Sequence, residues 1–270
     1  MNAEKTKQLT DAALQALAAA IDAGHTPTLN CFLSAMARFH RYSFGNIMLI
    51  AFQRPDATRV AGFRTWQKLG RHVKRGEKGI KIIAPAARRK RDDAEDAREQ
   101  PEVPYFLTAH VFDVAQTEGE PLPTLTEVTG DPADYLRLLR ENIQGRGIDL
   151  QYSAPPSGAV GVSLGGRILI EPGLEPAAEF EVLAHELAHE ILHQDDRRQR
   201  TTITVRELEA EAVACVVCEA IGLTARDAAS EYIQLHHGDK DGLAESLGII
   251  AQTATSIITA ITRERDADAA

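Results

Sequence analysis

Residues 183–193, "LAHELAHEILH", decide the fold of the C-terminal half of this chain. On a helix each residue advances about 100°, so Leu183, Leu187 and Ile191 fall on one face. The three histidines of the stretch fall on the opposite face. The pattern therefore predicts an amphipathic helix over about residues 176–194, with an apolar side against a core and a polar stripe facing a site.

The polar stripe has the spacing of a metal motif, H-E-x-x-H. His185 and His189 lie about 6 Å apart along the axis, so each can place a nitrogen about 2.1 Å from one Zn²⁺. The intervening Glu186 can act as general base towards a metal-activated water. His193 lies about 12 Å from His185, too far to share the ion. We expect it to act as a cation at the helix C-terminus, or else to hydrogen-bond a substrate or a neighbouring loop. Glu190 is expected to be a bystander.

A catalytic zinc needs a third protein ligand and an open position. The downstream run "VRELEAEAVACVVCEA", residues 205–220, predicts a second helix that returns towards the first. We assign Glu207 as the third ligand and Glu211, one turn on, as acceptor from a ligand histidine's other N–H. The two roles can be exchanged, and both side chains can instead belong to a merely solvated face. Glu209, about 200° round the helix from Glu207, points elsewhere.

Length and composition indicate two soluble domains. A chain of 270 residues is long for one compact domain, and the proline-rich stretch at 118–128 is the best boundary. We therefore predict domains at 1–123 and 124–270. No run of about 18 apolar residues indicates a membrane span, so we expect a cytoplasmic protein without a membrane partner. Three cysteines, of which two fall on one apolar helix, suggest core packing and no disulfide framework.

The net charge of −9 is unevenly distributed. Residues 38–81 contain eleven Lys or Arg against two acidic residues, a net +9, so the remainder carries −18. A basic block in an acidic chain suggests a local anionic partner, although scattered surface lysines would give the same count.

Hydrophobic periodicity predicts an α+β fold with a small amount of sheet. Pro85 is expected to end the first strand, and residues 87–102, which lack apolar periodicity, are expected to form a flexible excursion before the next. The predicted helices are at 5–24, 29–53, 63–69, 131–145, 176–194, 205–221 and within 240–265, and the predicted strands are at 80–83, 105–114, 158–164 and 167–172.

The N-terminal run "YSFGNIMLIAFQRPDATRVAGFRTWQKLGRHVKRGEKGIKIIAP", the later "HVFDVAQTEGEPLP" and the metal helices together resemble the ArdC-like antirestriction proteins. The C-terminal part also resembles the ImmA/IrrE-type metallo-endopeptidases. The resemblance covers residues 5–265. It implies an N-terminal single-stranded-DNA-binding domain of helices and a small sheet. It also implies a mostly helical zincin-like metallopeptidase domain with a short β-hairpin, and supports His185, Glu186, His189 and the helix of Glu207.

Single strands are held by cationic grooves and by aromatic faces on which bases stack. The residues that supply both features, and that we predict to bind DNA, are Arg41, Tyr42, Asn46, Arg64, Trp66, Lys68, Arg71, Lys74, Arg75 and Lys78. The aromatic ones can equally be core residues.

Two functions are consistent with these features. The first is a zinc metallopeptidase, with Glu186 as catalytic base, directed to a protein substrate by single-stranded DNA. The second is an antirestriction DNA-binding factor whose zinc domain is structural. The sequence indicates neither the substrate nor the oligomeric state.

Overall fold

The computed structural model describes residues 3–24, 26–86, 105–120, 132–155, 158–223 and 240–268. The fold is α+β, as the sequence predicts. The helices are α1 (Ala3–Asp22), α2 (Thr26–Arg38), α3 (Phe44–Gln53), α4 (Phe63–Lys68), α5 (Pro132–Gly145), α6 (Pro176–Leu192), α7 (Asp195–Arg200), α8 (Ile203–Ala220) and α9 (Lys240–Asp268). The strands are β1 (Val60–Gly62), β2 (Arg71–Val73), β3 (Ile80–Ala86), β4 (Tyr105–Asp113), β5 (Thr117–Gly119), β6 (Asp149–Tyr152), β7 (Gly161–Ser163) and β8 (Arg167–Ile170).

The chain forms two compact units that are not separated by one cut. The first unit contains residues 1–14 and 45–120, and the second contains 15–44 and 121–270. The predicted boundary at 123 lies outside the described residues. It also differs from the structure at 15–44, because the buried face of α2 packs against α8 in the second unit.

The helix predicted over 29–53 is two helices in the structure. α2 ends at Arg38 and α3 begins at Phe44. Between them the chain turns, with the backbone N–H of Tyr42 donating to the carbonyl of Phe39. Apolar residues continue through the turn, since Phe39 is buried, and this continuity is why the periodicity did not reveal the break.

The first unit is built on a three-stranded antiparallel sheet in the order β1-β4-β3 and a two-stranded sheet of β2 and β5. Strand β3 continues through Pro85 to Ala86, so the prediction that Pro85 ends it is wrong. A proline lacks the N–H of a ladder, but β3 is an edge strand, where that loss is tolerated. The excursion predicted at 87–102 lies outside the described residues.

The free edge of β3 is capped by two amide side chains of α3. Asn46 accepts from the backbone N–H of Ile83 and donates to its carbonyl, both at 2.8 Å. Gln53 does the same for Lys81, at 3.0 and 2.9 Å. The two amides are seven residues apart on α3, and the residues that they contact are two apart on β3. The side chains of α3 thus make the hydrogen bonds that a fourth strand would otherwise make there.

The second unit is organised around α8. This helix has buried apolar residues on all sides, which predicts a central position. It packs against α6, α9 and α2, while α6 and α9 also pack against α5. Small residues such as Ala210 and Ala214, both buried, allow the neighbouring helices to approach closely. This packing brings the polar faces of α6 and α8 together.

A small mixed sheet lies beside α6, in the order β6-β8-β7. Strands β7 and β8 form the predicted hairpin, and its turn places Gly165 and Gly166 at positive φ, as a tight hairpin requires. The parallel pairing of β6 with β8 was not predicted. Glu190 is buried and accepts from the backbone N–H of both turn glycines and from the hydroxyl of Ser163. It is therefore an anchor of the hairpin and not the expected bystander.

One segment, Gly242–Thr262 in α9, is long and apolar enough to cross a membrane by length and composition alone. Half of it is buried within the unit, where it packs against α8 and α5. Core helices of soluble proteins meet the same criterion, and the burial of Leu247 and Ile257 accounts for its apolar composition.

Candidate metal centre

Helices α6 and α8 bring His185, His189 and Glu207 together. One candidate ligand atom from each lies within 4.8 Å of the others. The two Nε2 atoms are 3.0 Å apart, and each is 3.5 Å from Oε2 of Glu207. Two imidazoles and a carboxylate converging in this way, with the glutamate 57% exposed, form a half-open site of the type that holds a divalent ion with room for another molecule.

The electrostatics of the site favour the binding of a cation. Burial works to lower the pKa of His185, but hydrogen bonds with Glu207 and Glu211 outweigh it and raise that pKa to about 9. Hydrogen bonds from His185 and His189 lower the pKa of Glu207 strongly. In the absence of metal, a proton on His185 therefore supplies a positive charge to the site. A metal ion would displace this proton on binding and supply the positive charge instead.

Glu207 and Glu211 take different positions in the site. Oε2 of Glu207 faces the Nε2 atoms of both histidines, whereas Oε2 of Glu211 lies 3.2 Å from Nδ1 of His185. Nδ1 is the nitrogen left over when Nε2 faces the cluster. The geometry thus fits Glu207 as a ligand and Glu211 as the acceptor that orients His185, and it does not favour exchanging them.

His193 lies behind the cluster, and the expectation that it is a cation at the helix end is wrong. It is 2% exposed, and burial lowers its pKa, so it is neutral near pH 7. Its Nδ1 lies 2.9 Å from Nδ1 of His189, and its Nε2 lies 3.0 Å from Oε2 of Glu209. His193 therefore connects a candidate ligand to a buried carboxylate.

Glu209 is the end of this chain of hydrogen bonds and was missed by the sequence argument. Arg197 and the Ser246 hydroxyl donate to its other oxygen, at 2.6 and 2.9 Å. Burial works to raise the pKa of Glu209, but its hydrogen-bond donors outweigh that and lower it, so it is ionised. An ionised carboxylate only accepts. His193 must then donate from Nε2 and, being neutral, accept at Nδ1 from His189.

A sequence signal for Glu209 does exist. Glu209 is a charged residue between two apolar residues, Leu208 and Ala210, that are both buried. A carboxylate in such a place requires charged or hydrogen-bonding partners. The sequence does not show that the partners come from α6, α7 and α9.

Glu186 lies beside the cluster and against strand β7. Its side chain is buried, and burial raises the pKa of the carboxyl. The backbone of Ser163 hydrogen-bonds to it. At Gly161 the strand passes so close that a Cβ there would lie 2.9 Å from Oε1 of Glu186. The edge of the small sheet thus fixes this carboxyl next to the three candidate ligands.

Four of the residues predicted to bind DNA make contacts within the first unit. Trp66 is 2% exposed and donates its indole N–H to the carbonyl of Phe112, so its ring is not available for stacking. Asn46 caps β3. Arg71 is engaged with Thr117 and backbone carbonyls of β5, and Lys74 donates to the Ala115 carbonyl.

The remaining candidates fall in both units. Arg41 and Tyr42 belong to the second unit, where Tyr42 packs edge-on against Phe39. The predicted DNA-binding residues that are exposed in the first unit, besides Lys74, are Arg64, Lys68, Arg75 and Lys78. The ten residues are therefore divided between the two units.

The cysteine pair of α8 is part of the core packing. Cys218 is buried, and burial raises the pKa of its thiol, while Cys215 is only partly exposed. All three cysteines of the chain are described, and none of them forms a disulfide bond.

Fold and site together define a two-unit α+β protein with a helix-borne His, His and Glu cluster. Residues 4–112 match the family model described as the N-terminal domain of anti-restriction factor ArdC. Residues 4–112 of this chain are thus similar to that N-terminal domain.

Solved structures agree with this assignment at the level of the fold. The Mn(II)-bound crystal structure of the antirestriction ArdC protein from plasmid R388 has a TM-score of 0.56 at 19% identity, covering 96% of this chain and 97% of that chain. The metal-free structure of the same protein has a TM-score of 0.50 at 22% identity, covering 82% and 86%.

A curated relative is an uncharacterized protein of Bacillus anthracis. It is 26% identical over 275 residues, which cover 85% of this chain and 47% of the relative. The chain thus spans about half the length of this relative.

Proposed function

We propose that this chain is an antirestriction factor that binds single-stranded DNA through its first unit and carries a metal-dependent peptidase-type site in its second. The match of residues 4–112 to the ArdC N-terminal domain supports the first part. The net charge of +9 over residues 38–81 provides a local attraction for phosphates in an otherwise acidic chain. The geometry around Glu186 supports the second part.

The residues present fit a divalent ion. His185, His189 and Glu207 would hold it, with two imidazole nitrogens and a carboxylate oxygen. This donor set is typical of hydrolytic zinc sites, and we propose Zn²⁺ as the resident ion. The Mn(II)-bound relative supports a divalent ion in this fold without deciding between the two metals. A bound ion supplies Lewis acidity, which polarises a carbonyl and promotes the ionisation of water.

Glu186 is the group that makes a hydrolytic role more plausible than a structural one. Its buried carboxyl, with a raised pKa, can take a proton from an attacking water and later deliver it to the leaving nitrogen of a peptide. The water oxygen forms a bond to the carbonyl carbon, and the C–N bond then breaks. A structural zinc site has four protein ligands and no use for a neighbouring base, whereas three candidate ligands converge in the described residues.

The test is Glu186→Gln, which removes the base and keeps the shape. We expect zinc content and single-stranded-DNA affinity to stay at wild-type values while hydrolysis of a quenched-fluorescent peptide library falls by a factor of at least about 10². Glu181→Gln, which changes a charge in the same helix five residues away, is the control. Equal hydrolysis by wild type and Glu186→Gln would contradict the assignment.

The second candidate is an antirestriction DNA-binding factor whose metal site only stabilises the fold. It is favoured by the description of the matching family, which names antirestriction alone. Protection of incoming DNA against a restriction enzyme distinguishes the two in cells. Full protection by Glu186→Gln, together with loss of stability in His185→Ala, would favour this second function.

A further inference from the structure

We infer that single-stranded DNA binds on one face of the three-stranded sheet of the first unit. The main residues of this β3–β4 face are Lys81, Ile83, Pro85, Phe106, His110 and Phe112. The inference rests on the proposed DNA binding and locates it mostly at residues that the sequence argument did not select.

Strand register places these residues together. Lys81 pairs with His110 and Pro85 pairs with Phe106, and residues directly opposite in a ladder share a face. Alternation along β4 adds Phe112 to the same side. The intervening residues Ile80, Ile82 and Val111 point to the other side, where they are buried in the core of the unit.

The β3–β4 face exposes aromatic rings that the core does not use. Phe106 is 46% exposed, and Phe63, at the start of α4, is 48% exposed. Phe63 packs edge-on against Phe112, with ring centroids 6.4 Å apart, so aromatic groups continue along the face. Alternate residues of a strand are about 7 Å apart, which allows successive bases of an extended strand to meet successive side chains. Exposed rings on a sheet are the platform on which single-stranded nucleic acids stack.

The charges of the face suit phosphate. It carries Lys81 and His110 and no carboxylate among its named residues. Lys78 and Arg64, both exposed, adjoin it in sequence, one before β3 and one after Phe63. An anionic, base-bearing ligand meets both features of this surface, because its phosphates can contact the cations and its bases can stack on the exposed rings.

Gly79 keeps one end of the face uncovered. A Cβ at this position would lie 2.9 Å from Cβ of His110 and 3.0 Å from the ring of Phe112. Any larger side chain would have to shift these two residues or cover them. The glycine leaves the ring edge and the backbone open to a ligand.

The edge of the sheet argues against a protein strand as the occupant. Asn46 and Gln53 already satisfy the outward backbone groups of Ile83 and Lys81. A strand from a partner cannot add to β3 at these positions. What the sheet offers is its face, to a ligand that stacks.

The experiment measures affinity for a fluorescent oligothymidine in the full-length, zinc-loaded protein. Phe106→Leu keeps apolar bulk but removes the π face, and we expect it to weaken binding at least about fivefold. Phe106→Trp should restore binding to within about twofold of wild type. Lys81→Gln should reduce the slope of log K against log salt by about 0.7, the value for one lost phosphate contact.

Two matched controls lie outside the face. Leu107 is the next residue of β4, 39% exposed on the opposite side, so Leu107→Ala should leave affinity unchanged. Arg137→Gln removes one exposed positive charge from the second unit and should leave the salt slope unchanged. A 5-iododeoxyuridine oligonucleotide should crosslink to peptides containing residues 105–113.

The outcomes separate this inference from the proposed function. If the wild type binds DNA but Phe106→Leu and Leu107→Ala weaken binding equally, the β3–β4 face is not the binding surface, although the protein still binds DNA. Crosslinks confined to other peptides would lead to the same conclusion. Absence of any single-strand affinity in the wild type would overturn both. If Phe106→Leu changes self-association and not DNA affinity, the face binds a second copy and the inference is wrong.

Discussion

His193 acts on the candidate metal centre from the side away from the ion. Its neutral ring accepts from Nδ1 of His189 and donates to Glu209, so it fixes which nitrogen of His189 is free to bind metal. Such outer partners orient a ligand and raise its basicity. The consequence is that metal affinity depends on a residue that does not touch the ion.

His193→Ala should weaken metal binding by about 10- to 100-fold, the usual cost of losing an outer partner. Affinity can be measured by competition with a chromophoric chelator for Zn²⁺ and Mn²⁺ separately. His193→Asn places an amide oxygen near the position of Nδ1 and should recover part of the affinity. A variant His193→Ala that folds normally and binds metal as tightly as wild type would show that the hydrogen bond has no positioning role.

A charge-matched control is available in the other unit. His72 is exposed on β2, so His72→Ala removes an imidazole without touching the cluster. Its metal affinity should equal that of wild type. Glu209→Gln, in contrast, should share part of the defect of His193→Ala because it weakens the acceptor that holds the ring.

At the scale of elements, helix α3 stabilises the sheet by replacing a missing strand. The Asn46 amide is buried, so its removal leaves a backbone N–H and a carbonyl of Ile83 without their partners. Asn46→Ala should lower the free energy of unfolding by about 1–3 kcal/mol. Gln53→Ala should cost less, since the Gln53 side chain is exposed and water can replace it. Urea unfolding measures both; equal effects would contradict the role of burial.

The sequence predicts local elements well and their partners poorly. The helical period places His185 and His189 on the opposite face from Leu183 and Leu187. The metal motif could be identified from the sequence because its spacing and the apolar face are both properties of a single helix. We predicted that Trp66 and Asn46 bind DNA because they lie in a basic segment. The sequence does not distinguish a buried ring or amide in such a segment from an exposed one. Their actual partners, Phe112 and Ile83, are 46 and 37 residues away.

The same limit explains two differences between the expected and the observed backbone. Pro85 reads as the end of a strand, and only the strand order shows that it sits on an edge where its missing N–H is harmless. Likewise, residues 15–44 read as part of the N-terminal domain. They group with the second unit because the buried face of α2 packs against α8.

At the scale of the whole molecule, the candidate metal centre links stability to pH. In the metal-free protein the pKa of His185 is raised from its ordinary 6.5 to about 9, so the folded state holds this proton more tightly than the unfolded state. That contribution to stability is complete below pH 6.5 and is lost as the pH rises through about 9. The lowered pKa of Glu207 contributes stability above its ordinary value of 4.5, which is lost in acid.

We therefore expect metal-free protein, prepared with a chelator, to lose thermal stability between pH 6.5 and 9, over the range set by His185. Metal-loaded protein should not lose it, because the ion needs an unprotonated imidazole and binds more tightly as the pH rises. The difference in melting temperature between the two forms should grow across this range. His185→Gln removes the titrating group and should flatten the metal-free profile while abolishing the stabilisation by metal. A metal-free wild type whose pH profile matches that of His185→Gln would show that the His185–Glu207 pair contributes nothing to the fold.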